Sequence, residues 1–478
     1  MHAPSKNELC YLSIREASQL LRRRKISTVE LLNAILERIE RINPEVNAFI
    51  TVAAERALED ARRAQREIGR GKFRGPLHGI PLPIKDNIET QGIRTTAGSK
   101  ILSHFIPERD ADVVSALRQA GAVIIGKTNL HEFAYGITNE NPHFGAARNP
   151  WDTTRVSGGS SGGSAVAIAS GMGFGSVGTD TGGSIRIPSA LCGIVGLKPT
   201  FDRVSARGVI PLSVSLDHVG PLARSVDDVS LLLAAISSKE HPFRAAGTGT
   251  DASAAVRPGA KKSPRKRITL GWPRNFFFDR LDDEVLQAIE VAVKLLEKRG
   301  AIVRQISLSH IADSADAGTQ IALAEALNFH QSSGFYPARS AEYGADVRAR
   351  LEQGGNVRAV DYLHAQEQRA RIVAEFDAVL AEVDAIVAPS APIAAPHIGE
   401  TIVRIRGEEE TVRSALVRVS RPANFTRHPA ISIPCGFTSE GMPIGMQLIG
   451  RHWDEATLLE IATLYESETE WHLRRPPL

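Results

Sequence analysis

Residues 155–200 read RVSGGSSGGSAVAIASGMGFGSVGTDTGGSIRIPSALCGIVGLKPT. Apolar segments here must be buried, yet glycine and serine are concentrated between them. Two Gly-Gly-Ser turns stand out, Gly158-Gly159-Ser160 and Gly182-Gly183-Ser184. Paired glycines let a backbone approach a ligand closely and aim its N–H groups inward. Each turn therefore presents a serine hydroxyl beside amide donors, and the stretch reads as a reaction centre.

A serine hydroxyl is a weak nucleophile until a base takes its proton. Working outward, the best base is Lys85, in HGIPLPIKDNIET. The preceding run, Gly79 to Ile84, is extended, apolar and punctuated by proline, so a lysine at its end is desolvated. Burial disfavours the charged ammonium and leaves a neutral amine able to accept a proton.

Four motifs occur in order: GIPLPIKD, GGSSGGSA, GTDTGGSIR and GLKPT. Lys85, Ser160 and Ser184 are spaced 75 and 24 residues apart within them. In motifs and spacing the chain resembles the amidase signature family, serine hydrolases with a Ser-Ser-Lys triad. The likeness runs from about residue 20 to the closing residues and is weakest between 237 and 267.

Carried over position by position, the resemblance makes Ser184 the nucleophile, Ser160 the bridging serine after a cis Gly159-Ser160 bond, and Lys85 the base. It assigns the oxyanion hole to the backbone N–H groups of Thr181, Gly182, Gly183 and Ser184. The segment after KTNL lines the acyl side in the family, which nominates Ala134, Tyr135 and Gly136 for substrate binding. Asp180 and Arg186 flank the nucleophile and have the chemistry to pair and hold its loop.

Composition bounds the remaining classes. The 478 residues are 42% hydrophobic, enough for a large core, and the net charge of +3 gives no overall basic field for nucleic acid. Three cysteines, Cys10, Cys192 and Cys435, are too scattered for a disulfide framework and fit a reducing, cytoplasmic setting. Cys192, in ALCGIVG, reads as a small buried residue. The N-terminal residues carry no secretory signal pattern. Residues 156–179 are uncharged but too rich in Gly and Ser for a membrane helix.

Helices and short apolar strands alternate, which predicts an α/β layer architecture. Helical spacing covers residues 12–43, with a Ser27/Glu30 capping box and a stop at Asn43-Pro44. Further helices are predicted over 53–68, 110–120, 165–170, 282–299 and 455–465. Strands are predicted over 122–125, 268–271, 302–306, 384–389, 430–434 and 446–449. A helix following the first glycine turn would offer free N–H groups near Ser160. Residues 237–267 change to an Ala, Gly, Ser and Pro-rich composition ending in KKSPRKR, which reads as a surface excursion or linker. The resemblance implies one large twisted mixed sheet covered by helices on both faces. It also implies a single domain over 1–478, with the signature core at about 75–235 and a C-terminal part at 268–478.

Competing motifs fail on context. GAVIIGKT at 121–128 spells a phosphate loop, but its interior is β-prone and is itself the strand. GFGSVG at 173–178 spells a dinucleotide pattern without the required strand-turn-helix. GGSSG at 158–162 spells the nucleophile turn of α/β-hydrolases, with His218 or His428 as partner, but leaves Lys85 and the second turn without a purpose. No metal-ligand cluster is spelled, so no catalytic metal and no cofactor is expected.

The expected activity is hydrolysis of a small-molecule amide to acid plus ammonia or amine, without nucleic acid or membrane, with a homodimer allowed. The rival is the glutaminase component of the tRNA-dependent amidotransferase, its A-type subunit, which feeds ammonia to a partner. NENPHFGAARNPWD and SLDHVGPLARSVDD look similar to it. GGNVRAVDYLHAQEQRAR lacks the tyrosine-rich run associated with those subunits, which ranks the stand-alone amidase first.

Overall fold

The computed structural model describes residues 5–238, 240–243 and 267–478. Most of the expected 237–267 excursion, including KKSPRKR up to residue 266, lies outside the described residues.

Eleven strands form one sheet among the described residues. In chain order they are β1 (Phe49–Val52), β2 (Pro81–Lys85), β3 (Val123–Thr128), β4 (Gly175–Asp180), β5 (Val195–Lys198), β6 (His218–Ala223), β7 (Thr269–Pro273), β8 (Ile302–Ile306), β9 (Ala385–Pro389), β10 (Ala430–Phe437) and β11 (Pro443–Ile449). Their spatial order is β1-β3-β2-β4-β6-β5-β10-β11-β9-β7-β8. The sheet is mixed: β3, β2 and β4 run parallel, as do β9, β7 and β8, while β4 to β6 and β10 to β11 pair antiparallel. Every residue of β2, β3 and β4 is buried, so both faces of the sheet are covered there. Leu82, Ile84, Ile124, Val177 and Leu222 belong to the main core cluster.

The predicted elements are present with shifted ends. GAVIIGKT is strand in its interior, as expected, but the strand starts at Val123 and runs on through Thr128, three residues past its expected end, and GFGSVG runs into β4. Pro44 does not stop its helix: Thr28–Val46 carries it in the last turn. A proline there forfeits a single helical bond, and the helix ends instead at Asn47, which caps with a φ of 52° and donates its N–H to the Asn43 carbonyl at 2.7 Å.

The helix after the first glycine turn spans Gly162–Ala169 and starts three residues before its expected position. Gly163 belongs to its first turn because a Cβ there would lie 2.5 Å from the Ala48 carbonyl oxygen and the Asn129 backbone. Nor are its leading N–H groups free. Ser161 donates to the Ser184 carbonyl at 3.1 Å and Gly163 to the Asn129 carbonyl at 3.0 Å. That end of the helix is spent on joining the two glycine turns.

Candidate active site

Parallel strands deliver their side chains at the same edge, and β2 and β4 are parallel neighbours paired at Ile84 and Val177. Lys85 ends β2 and Asp180 ends β4. Thr181 to Ser184 form the connection from β4 to the helix Arg186–Cys192, and Ser160 lies just ahead of Gly162–Ala169. The topology thus gathers the lysine and both serine turns at one end of the central strands.

Lys85 is fully buried, and its Nζ donates to Ser160 Oγ at 2.8 Å and Thr179 Oγ1 at 2.7 Å. Burial pushes its ammonium down to about 7, against the opposing pull of the Asp180 and Asp217 carboxylates. The Gly159-Ser160 peptide is cis, as the resemblance implies. The backbone bond from Ser161 to Ser184 holds the two serine turns together, with both serines buried.

The nucleophile loop is organised by Asp180. Its carboxylate accepts from the backbone N–H groups of Gly183 at 2.7 Å, Ile185 at 3.1 Å and Arg186 at 3.3 Å. It also accepts from Arg186 Nε and Nη2, each at 3.1 Å, the pairing expected from sequence. Burial alone would raise the Asp180 carboxyl; the Arg186 charge and hydrogen bonds, with Lys198, outweigh it and hold the group below the usual carboxylate range. Arg186 is tied in turn to Gln447 and Asn424 at 2.8 and 2.6 Å.

This network engages one of the four N–H groups expected to form the oxyanion hole. The Gly183 N–H is committed to Asp180, which leaves Thr181, Gly182 and Ser184 as the backbone donors available to an oxyanion. Gly183 has a φ of 125°, and a Cβ on it would lie 2.5 Å from Ile187 Cδ1 and 2.6 Å from Ser420 Cβ, so glycine is needed for conformation and space.

Ala134, Tyr135 and Gly136 line a narrow cavity of ≈ 30 Å³ together with Thr181, Gly182 and Ser184. It adjoins a larger cavity of ≈ 530 Å³, and Tyr135, Arg413, Val417 and Arg421 line both. Tyr135 is at once a wall of this space and a member of a buried aromatic cluster with Phe133 and Tyr343. Gly182 faces the open side: the nearest atoms to a Cβ there would be Arg421 Nε at 3.6 Å and Val417 at 3.8 Å.

Several participants escape sequence reasoning. Thr179 steadies Lys85, and Asp217 accepts from Thr181 Oγ1 at 2.5 Å and from the Leu212 and Ser213 N–H groups at 2.9 and 3.1 Å. Asp217 sits in SLDHVG, where the adjacent His218 draws attention. His218 is instead buried with Nδ1 2.7 Å from the Leu216 carbonyl, and burial followed by the Lys198 charge pushes it well below its ordinary value. His428 reaches Asp377 at 3.1 Å and stacks on His452. Asp377, His428 and His452 bring ligand-type atoms within 4.8 Å of one another but do not line the Ser184 cavity. Cys192 is buried, as expected, and burial pushes its thiol up. No helix of the described residues is long and apolar enough to cross a membrane.

Comparison with known proteins adds independent weight. Residues 30–459 match the family model described as amidase. The A-type subunit of glutamyl-tRNA(Gln) amidotransferase from Carboxydothermus hydrogenoformans is 40% identical over 98% of this chain and 100% of its own length. A crystal structure described as an amidase superposes with a TM-score of 0.86 at 35% identity, covering 96% of this chain and 100% of that one. The corresponding amidotransferase component from Thermotoga maritima gives 0.76 at 33%, covering 96% and 95%. With the fold, the ordered motifs and full-length relatives in agreement, the chain belongs to the amidase family.

Proposed function

We propose that the protein hydrolyses a carboxylic amide through an acyl-enzyme on Ser184. The observation that carries this reading is the buried Lys85, held 2.8 Å from Ser160 Oγ with its ammonium pushed down to about 7. Neutral Lys85 accepts the Ser160 proton while Ser160 accepts that of Ser184, whose Oγ bonds to the amide carbon. The N–H groups of Thr181, Gly182 and Ser184 receive the developing oxyanion; such a donor contributes roughly 2.7–4 kcal/mol to transition-state stabilisation. The proton returns through Ser160 to the leaving nitrogen, the C–N bond breaks, and ammonia or an amine departs. Water then attacks the acyl-enzyme, releasing the acid and restoring Ser184.

Between substrates, full-length similarity to the A-type amidotransferase subunits favours the reading that the sequence alone ranks second: glutamine as amide donor, with ammonia passed to partner subunits. A second reading, a self-sufficient amidase, is favoured by the superposition on an amidase, 0.86 against 0.76 for the amidotransferase component. Ammonia release by the purified chain from aliphatic, aryl and amino-acid amides, with Ser184→Ala as control, decides between them. Turnover of simple amides that the control lacks supports the self-sufficient enzyme. Turnover confined to glutamine, or appearing only with partner subunits, supports the amidotransferase reading. Activity retained by Ser184→Ala would overturn the nucleophile assignment.

A further inference from the structure

The cavity beyond Ser184 carries more positive charge than its own residues neutralise. Four guanidinium groups line it, those of Arg350, Arg413, Arg418 and Arg421. Arg350 is paired with Asp346 at 2.8 Å and donates to the Tyr135 carbonyl, and Asp346 also meets His131 at 2.9 Å. Arg421 donates to the Ala315 carbonyl at 3.0 Å and to Thr319 Oγ1. Asp316, the remaining carboxylate of the cavity wall, is exposed.

Arg418 donates to the Arg280 carbonyl at 2.8 Å and pairs with Glu410 at 3.5 Å, so Arg413 differs from the other three. Among the described residues it has no hydrogen bond or ion pair, and its guanidinium lies 5.8 Å from the centre of the Tyr135 ring. Burial, with like charge from Arg350 and Arg421, pushes it down to about 9, which an anion alongside would relieve. The Tyr135 hydroxyl is likewise buried without a partner. Burial also pushes its phenol up, so it remains a donor. Arg413 and Tyr135 line the narrow space that contains Ser184. An uncommitted planar fork of donors beside an uncommitted hydroxyl matches the geometry of a carboxylate.

We propose that the acyl part of the substrate ends in a carboxylate held by Arg413 and Tyr135, so that the enzyme takes amides whose far end is anionic. The inference rests on the Ser184 reading and specifies its substrate class. Two sources share this chemistry: an ω-amide of a short dicarboxylic acid, and glutamine, which adds an ammonium group.

Three amides of equal chain length separate the possibilities: 4-carbamoylbutanoate, glutamine and pentanamide. Wild type should prefer 4-carbamoylbutanoate to the neutral pentanamide. In Arg413→Gln the ratio of their kcat/KM values should fall by at least ~10-fold, the scale of a lost charge-assisted hydrogen bond, with partial recovery in Arg413→Lys. Glutamine turnover above that of 4-carbamoylbutanoate would make the amino acid the source of the carboxylate; the reverse order would make it a simple dicarboxylate. A wild-type preference for pentanamide, or a ratio untouched by Arg413→Gln, overturns the proposal. The hydrolytic reading fails separately, if none of the three is cleaved. Calorimetry of 4-carbamoylbutanoate with Ser184→Ala, alone and combined with Arg413→Gln, then decides the contact: binding lost with the arginine supports it, and binding absent or indifferent to it does not.

Discussion

Thr181 Oγ1 donates to Asp217 Oδ1 at 2.5 Å, which ties the first residue of the nucleophile loop to the segment just before β6. Asp180 grips the same loop from the other side through the Gly183 N–H. The loop is therefore fixed by two buried carboxylates of opposite character. Burial pushes Asp217 up to about 6, against the hydrogen bonds it accepts, while Arg186 keeps Asp180 low. Both carboxylates bear electrostatically on Lys85.

The proposed chemistry needs Lys85 without its extra proton. With the group pushed down to about 7, kcat/KM for a non-titrating amide should rise about tenfold per pH unit below that point and level off above it. A pH-rate profile on a neutral substrate checks this. A flat profile across the mildly acidic to mildly alkaline range, with the chemical step limiting, would remove Lys85 as the base.

Asp217 opposes the loss of the Lys85 proton, since a nearby negative charge favours the ammonium. Asp217→Asn keeps an oxygen to accept from Thr181 but removes that charge. The rise in activity should then shift to lower pH than in wild type, with a lower plateau where the Thr181 tether is weakened. Parallel profiles of the two proteins test it. An unmoved midpoint, or one displaced upward, would show that Asp217 does not act on Lys85.

Much of this arrangement is legible in the chain because it is written locally. The Gly-Gly-Ser turns mark close backbone approaches, and the apolar run before Lys85 announces its desolvation. Gly162 and Gly163 are harder to read, since glycine signals a loop and a helix packed too tightly for a Cβ in the same letters. Long-range partners leave no local signal: Arg186 meets Asn424 and Gln447 only because the fold brings them together. Arg413 is equally silent in sequence, one arginine among many. Its interest lies in what does not pair with it, a property of the folded cavity. The engagement of the Gly183 N–H is hidden for a related reason, because the group that accepts from it is a side chain whose rotamer the sequence does not state.

The Asp180–Arg186 pair offers a test of how the loop is held. Both side chains are fully inaccessible to solvent. Removing one partner of a buried pair leaves an uncompensated charge and typically costs about 3–5 kcal/mol, whereas removing both charges can cost far less. Arg186→Met should therefore lower stability by roughly that amount. The double variant Asp180→Asn with Arg186→Met should recover part of the loss, the coupling expected of groups in direct contact. Recovery should be incomplete, because Asp180 also accepts the Gly183, Ile185 and Arg186 N–H groups and an amide oxygen satisfies them less well. Activity should not return with stability, since the backbone donors of the nucleophile loop depend on the carboxylate that the double variant lacks. Denaturant unfolding of wild type, Asp180→Asn, Arg186→Met and the double variant, beside their turnover, checks both halves. Additive losses, or a double variant as active as wild type, would show that the pair is not what holds the loop.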